Sequence, residues 1–516
     1  MSKLLMTTAI GALAAATVLT AAPANAQMSK DTVRAVSEQP ISLIDRIYNA
    51  QPATTLMSTV IFDGMVQYDP VARKWGANLA KSWKRIDETT LEFKLRDDVT
   101  FQNGDHFSAD DVVATIGHMI DPKVTFRFKA NRYGWIKSVE KIDDYTVRVV
   151  SKGPFAPALS KLGQGTLIYP KGPFLENPKE FGKHPIGTGP YLVTQVDPTD
   201  GVIMKKFDGF KLNSSYRPAA KIGTVVVKPV TDRQTQVARM MVGDQDFMSS
   251  VDVDTAAALA KNPDLVTTVT DTVSFAYLQF DSADRGKTGV VKDPKVREAL
   301  SHAIDREALK KALLPAAAQN IPIPQGMCHK WITACDYSVP QPKYDPALAK
   351  KMLAEAGYPN GFKLEVTTWG AAANYAEAVV GQLRKVGIQA TLDKVTYGVY
   401  SKKRSAGKLQ TLFSYWDNAG GQPDIDNTMG FFYLPGVRDY MQDSELHKTT
   451  KLTREEFDPK KRMAIVRDAM DRVTRMHYLF PVIAVPAVVV HRKELVLEGG
   501  HKSPEGYLYN YMHWAK

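Results

Sequence analysis

Cysteine is scarce in this sequence: 516 residues contain two, Cys328 and Cys335. A structural zinc site takes four ligands, and only His329 stands near the pair. The ten histidines are scattered without ligand spacing, so no metal site and no cofactor is expected. Neither G-x-S-x-G nor H-E-x-x-H occurs, which removes two local signatures of hydrolases. Gly286-Lys287-Thr288 comes nearest to a phosphate loop, but Asp281 occupies the place of its first glycine. Asp424-Ile425-Asp426-Asn427 begins like a calcium loop, but Met429 stands where Gly is needed and Pro435 where Glu is needed. Catalytic groups can converge from distant positions, so a secreted hydrolase remains the alternative to a binding protein. Runs of one charge are also missing. The net charge of +11 is spread along the chain, without a polybasic tail or a basic–aromatic run. No nucleic-acid partner is expected. The basic excess is either a solvated surface or a field that favours an anionic partner.

Long hydrophobic runs are confined to the N-terminus. Lys3 gives a positive start, Leu4 to Ala22 is apolar or small, and Ala24-Asn25-Ala26 follows. These are the parts of a secretory signal peptide. A membrane anchor is the other reading of the segment, but its Ala and Thr content and the A-x-A tripeptide favour cleavage after Ala26. No Cys follows the apolar stretch, so lipid attachment at a new N-terminal Cys is excluded. No later segment resembles the roughly 20 apolar residues that span a bilayer. An exported chain meets an oxidising compartment, where a close cysteine pair forms a disulfide. Cys328–Cys335 would staple the Pro-rich loop from Pro322 to Pro340.

Hydrophobic residues make up 44% and charged residues 23%, an ordinary globular composition. The length suggests about three domains. Thr89 to Leu95 alternates as a strand does, and Ser108 caps a helix beginning at Ala109. Lys141 to Val150 reads as one strand. Asp293-Pro294 and Asp345-Pro346 each open a helix, the second ending near Gly357. Lys363 to Trp369 is strand-like, Ala372 to Val386 helical with Gly387 as its stop, and Ile388 to Val395 strand-like again. This succession predicts a parallel or mixed sheet with covering helices. Leu479 to Val490 contains two prolines and reads as a buried strand interrupted by bends.

Six stretches follow in order. Leu91 to Phe101 is a strand that ends in a basic–acidic turn and an aromatic, and Phe107 to Val112 continues it. Pro185-Ile186-Gly187-Thr188-Gly189-Pro190-Tyr191 is a P-x-G-T-G-P-Y turn. The other three are Asp293 to Leu300 with Ala303 to Arg306, Tyr344 to Gly357, and Gln382 to Ile388. Together they resemble the signature stretches of the extracellular solute-binding proteins of family 5, the dipeptide-, oligopeptide- and nickel-binding components of ABC importers. The glycines of the turn would allow a bend that β-branched residues could not make.

The resemblance implies a two-lobed α/β periplasmic binding protein of the class II, cluster C type, not an enzyme, with a ligand cleft between lobes. Residues 27–70, 186–270 and 481–516 would form lobe one, residues 71–185 an extra domain packed on it, and residues 271–480 lobe two. Crossovers near Ala276–Asp281 and Leu479–Val485 would form the hinge. Such a protein would be a periplasmic monomer that delivers a small polar solute to an ABC permease in the inner membrane. The solute would be a peptide, a peptide-like or opine-like conjugate or, in the nickel branch, a metal chelate.

In peptide-binding members a loop Trp is followed three residues later by an Asp that pairs with the ligand ammonium. By that resemblance Trp416 is the Trp and Ala419 stands where the acid belongs. An unpaired buried ammonium is costly, so either Asp417 takes over or the ligand is not an ordinary peptide. The expected ligand contacts are Trp416, Asp417, Asn418 and Tyr415, with Tyr397, Arg404 and Trp369 from the same lobe and Asn49 and Gln51 from the first lobe. Core packing is the competing reading for Trp416, Tyr397 and Trp369. A solvated helix face is the competing reading for Arg404, which stands beside Lys402 and Lys403. The N-terminal reading has a direct test: Edman sequencing of the exported product should begin at Gln27, and a product beginning at Met1 would refute it.

Overall fold

The computed structural model describes residues 31–49, 52–70, 72–127, 129–163, 165–214, 217–417, 423–499 and 508–515. The signal peptide with its expected cleavage site, and Gln51, Asn418 and Ala419, lie outside the described residues.

Three sheets organise the chain. The seven-stranded sheet runs, edge to edge, Leu265–Thr270, Ala487–Arg492, Phe247–Met248, Thr32–Ser37, Thr224–Pro229, Gly201–Lys206, Tyr191–Asp197. Its central strand, Thr32–Ser37, is parallel to both neighbours, while the outer pairs are antiparallel. A four-stranded antiparallel sheet of Ala80–Arg85, Thr90–Leu95, Thr146–Ser151 and Ile136–Asp143 stands beside it. Residues of both sheets, among them Phe93, Val147 and Val225, belong to one buried cluster, so the two form a single first lobe. The five-stranded sheet of the second lobe runs Gln389–Val395, Lys363–Trp369, Thr411–Asp417, Ser274–Phe280, Leu479–Ala484.

Local signals place the second lobe's helices. Asp293 and Asp345 accept hydrogen bonds from the backbone N–H groups of Lys295 and Leu348, with a proline at the first helical position in each case. These contacts satisfy donors that a helix start leaves open. Gly357 and Gly387 follow their helices with φ of +92° and +96°, a left-handed conformation that glycine adopts without Cβ strain. The helix Ala373–Lys385 joins two parallel strands and buries Ala376, Val379, Val380 and Leu383 in the core below the sheet.

Three expectations change. Lys141 to Val150 is not one strand: the chain reverses at Asp144–Tyr145 between Ile136–Asp143 and Thr146–Ser151. Leu479 to Val490 is two strands in two different sheets, divided at Val485–Pro486. The first crossover lies upstream of Ala276–Asp281, of which Ala276 to Phe280 lies within a strand; the chain leaves the seven-stranded sheet at Thr270 and enters the five-stranded sheet at Ser274. The turn glycines also have a different reason. A Cβ on Gly187 would stand 1.9 Å from the Ile61 carbonyl oxygen, so close backbone approach, not a bend, requires glycine there.

Cys328 and Cys335 form a disulfide. Its loop reaches both the joint between the sheets and the segment Pro423-Asp424. His329 lies 3.1 Å from the Asp271 carboxylate through Nε2, and the Thr333 hydroxyl donates to the Asp424 carboxylate at 2.9 Å and the Pro423 carbonyl at 2.8 Å. In the chain-entropy account, opening so short a loop costs about 2–3 kcal/mol. Replacing both cysteines by serine should therefore lower the thermal midpoint, and dithiothreitol should do so in the parent protein but not in the variant.

Candidate functional site

An aromatic belt lines the side of the second lobe that meets the first. Trp369 ends its strand with its indole N–H donating to the Ser414 hydroxyl at 3.0 Å. Its ring lies 4.8 Å from Tyr397 and 5.0 Å from Tyr415, centroid to centroid. Thr396 caps the helix Tyr397–Ser405, on which Tyr397, Tyr400 and Arg404 follow at i, i+3 and i+7 and so share a face. Arg404 is only 5% exposed, so the solvated-face reading fails despite its lysine neighbours. Its guanidinium lies 5.2 Å from the Tyr400 ring centroid and 5.7 Å from that of Phe431.

Two further arginines join this belt from distant parts of the chain. The Arg438 guanidinium stacks 3.8 Å from the Phe431 centroid. Arg127, in the first lobe, lies 4.9 Å from the Tyr397 centroid and donates to the Tyr397 phenol. Burial lowers Arg438 to about 10, and the charges of Arg404 and Arg127 act in the same direction. Burial also works against the charge of Arg404, but Tyr400, Tyr277 and Tyr397 outweigh it and raise that arginine above its ordinary range. Those phenols are neutral at pH 7 and bring no counter-charge there.

Acids gather at the other end of the belt. Tyr415 is pushed up to about 12, first by burial, then by the charges of Asp417 and Glu38 with Tyr397 between them in weight. Asp417 lies on the same strand as Tyr415. Glu38 follows the central strand of the first lobe and accepts from Arg233. Trp369 thus stands between an acidic end at Tyr415 and a cationic end at Tyr397.

The other expected residues are placed differently. Trp416 packs with the opposite-face cluster, its ring 4.3 Å from Phe431 and 5.0 Å from Phe432, and its indole N–H donates to Thr428 at 2.9 Å. The Asn49 amide donates to the Leu43 carbonyl at 3.0 Å within its own loop. Sequence reading missed Arg127, Arg438, Phe431 and Glu38. Only the Tyr397–Tyr400–Arg404 spacing carried a local signal. Among the described residues, no three His, Cys, Asp or Glu side chains gather closely enough to hold a metal, and no helix is long and apolar enough to cross a membrane.

The lobes also meet through a buried ionic group. Lys161, 1% exposed and on a first-lobe helix, lies 3.0 Å from Asp426, which opens the second-lobe helix Asp426–Phe432 and is fully buried. Arg454 lies 2.5 Å from the same carboxylate, and its carbonyl accepts the Ala156 N–H at 2.6 Å. Burial alone would raise the Asp426 carboxyl, but Arg454 and Lys161 hold it well below the usual carboxylate range.

The family follows from comparison with known proteins. The model of bacterial extracellular solute-binding proteins, family 5, matches residues 74–437. The chain belongs to this family. Among curated relatives, the glutathione-binding protein GsiB of Salmonella paratyphi A is 28% identical over 429 residues, covering 79% of this chain and 80% of the relative. Among solved structures, Brucella suis NikA in complex with Fe(III)-EDTA superposes with a TM-score of 0.81 at 20% identity, over 94% of this chain and 99% of that one. Helicobacter pylori DppA in complex with the peptide STSA gives a TM-score of 0.76 at 23% identity, over 94% and 98%. AgaA from Agrobacterium, in complex with agropinic acid, gives a TM-score of 0.74 at 23% identity, over 94% and 99%. The fold is that of two-lobed periplasmic binding proteins. The family serves ABC importers as non-enzymatic solute receptors.

The ionic contact yields a pH-dependent prediction. A carboxyl whose folded pKa is depressed contributes stability above its unfolded pKa, about 4, and loses it as the pH falls through the folded value. At pH 7, Asp426→Asn leaves Lys161 buried beside a neutral group and should cost about 3–5 kcal/mol. The difference from the parent in denaturant unfolding should be full above about pH 4 and shrink below it.

Proposed function

We propose that this chain is exported to the periplasm, functions there as a monomer, and delivers a zwitterionic peptide or peptide-like solute to an ABC permease in the inner membrane. The observation that carries this reading is the bipolar belt. Asp417 and Glu38 at the Tyr415 end suit an ammonium, Arg127 and Arg404 at the Tyr397 end suit a carboxylate, and Trp369 offers an apolar face between them. The ligands named for related proteins, glutathione, the peptide STSA and agropinic acid, fit the same description. With Ala419 at the family's acid position, Asp417 is the ammonium partner in this reading. Tyr397, Arg404 and Trp369 are ligand contacts, and Trp416 supports the loop that carries Asp417.

Binding adds RT ln(1 + [L]/Kd) to stability, about 2.7 kcal/mol at a hundredfold excess over Kd. Thermal shift with a panel of di- to tetrapeptides, glutathione and opines should show a midpoint rise for at least one compound. Mass spectrometry should then recover that compound unaltered. Trp369→Ala should weaken binding at least tenfold with little change in the ligand-free midpoint. A panel without any shift, or conversion of the ligand, would overturn the reading.

A further inference from the structure

Among the described ion pairs, three bury both partners to less than a tenth of their surface. Arg217–Asp63 lies within the first lobe and Arg462–Asp424 within the second. Lys161–Asp426 alone of the three crosses between them. Lys161 belongs to the helix Ala158–Leu162, whose Ala158 and Leu162 pack in the first-lobe cluster. Asp426 opens a helix whose Met429 and Phe432 pack with Phe275 and Tyr277 of the five-stranded sheet. Further contacts surround the pair. The Arg454 guanidinium lies 5.7 Å from the Phe155 centroid, the Arg454 carbonyl accepts the Ala156 N–H, and the Arg85 guanidinium lies 4.2 Å from the Phe457 centroid. Arg85, Phe155 and Ala156 belong to the first lobe, Arg454 and Phe457 to the second.

A contact between two lobes either parts when the cleft opens or persists through the cycle as part of the joint. The charges here are distributed for parting. Arg454 sits on the same lobe as Asp426 and stays with it when the lobes separate. Separation therefore strands no carboxylate: Asp426 keeps a cation, and Lys161 regains water. We infer that Lys161 and Asp426 are a clasp, a positioning pair that forms when the cleft shuts, parts when it opens, and holds part of the population shut before any solute arrives. A gap too narrow for water loses the attraction without restoring hydration, which is costly at low dielectric. The pair thus favours a fully shut or fully open arrangement over a half-closed one. It lies away from the aromatic belt, so it adds to the grip on every solute alike and selects none. It acts on affinity through the closed state, which a solute then favours by its own differential contacts.

Charge reversal separates a clasp from a fixed strut. Spin labels at Lys179→Cys and Lys350→Cys, both exposed and one on each lobe, report lobe separation in the ligand-free mature protein by pulsed electron resonance, while the native cysteines stay in their disulfide. The parent should show a short-distance population beside a longer one. Lys161→Glu should lower the ratio of short to long at least tenfold, because breaking a buried pair costs more than the roughly 1.4 kcal/mol that a tenfold change represents. The thermal midpoint of Lys161→Glu should stay near that of the parent, since the new carboxylate reaches water once the lobes part. A strut requires the reverse: unchanged separation with a lowered midpoint, or no folded protein. Either of those results, or a parent that is wholly open without solute, would overturn the inference. None of these readouts depends on which solute the cleft takes, so failure of the zwitterionic-peptide reading leaves the clasp standing.

Discussion

Two short passages of chain, residues 271–273 and 485–486, carry the connection between the seven-stranded and five-stranded sheets. They are tied side by side: the Thr272 hydroxyl donates to the Val485 carbonyl at 2.8 Å, and the Val485 N–H donates to the Ser274 carbonyl at 2.9 Å. Everything that faces the cleft depends on this joint. Glu38 and Arg127 come from one side of it and Tyr415, Tyr397 and Arg404 from the other. Few residues need absorb the change when such lobes close, because each sheet with its own buried cluster can move as one body.

The two kinds of charge contact between the lobes differ in a useful way. Lys161, Asp426 and Arg454 combine opposite signs and need no guest. Arg127, Arg404 and Arg438 share one sign. The first contact holds the two lobes together at a place away from the aromatic belt.

How much of this was legible in the sequence depends on the range of the signal. Helix starts at Asp293 and Asp345 and stops at Gly357 and Gly387 are local, since the cap residue and the backbone it serves lie within a few positions. The hairpin at Asp144–Tyr145 was not legible, because the apolar alternation of its two arms runs on through the turn. Leu479 to Val490 looked like one buried strand because both halves are apolar, although they serve different sheets. At the site, Trp369, Tyr397 and Tyr415 could be named from strand ends and family spacing. Arg127 and Arg438 could not, for nothing in their immediate neighbours distinguishes them from the other basic residues of a chain with net charge +11. Arg404 misled in the opposite direction: its lysine neighbours face water while it turns inward.

The loop closed by Cys328 and Cys335 touches the joint at Asp271 and the buried carboxylate of Asp424. A covalent bond that forms under oxidising conditions thus braces the joint between the two sheets and the segment at Pro423-Asp424. With both thiols reduced, hydrogen bonds alone would hold these places. The stiffness of the joint is in this way tied to the redox state of the chain's surroundings.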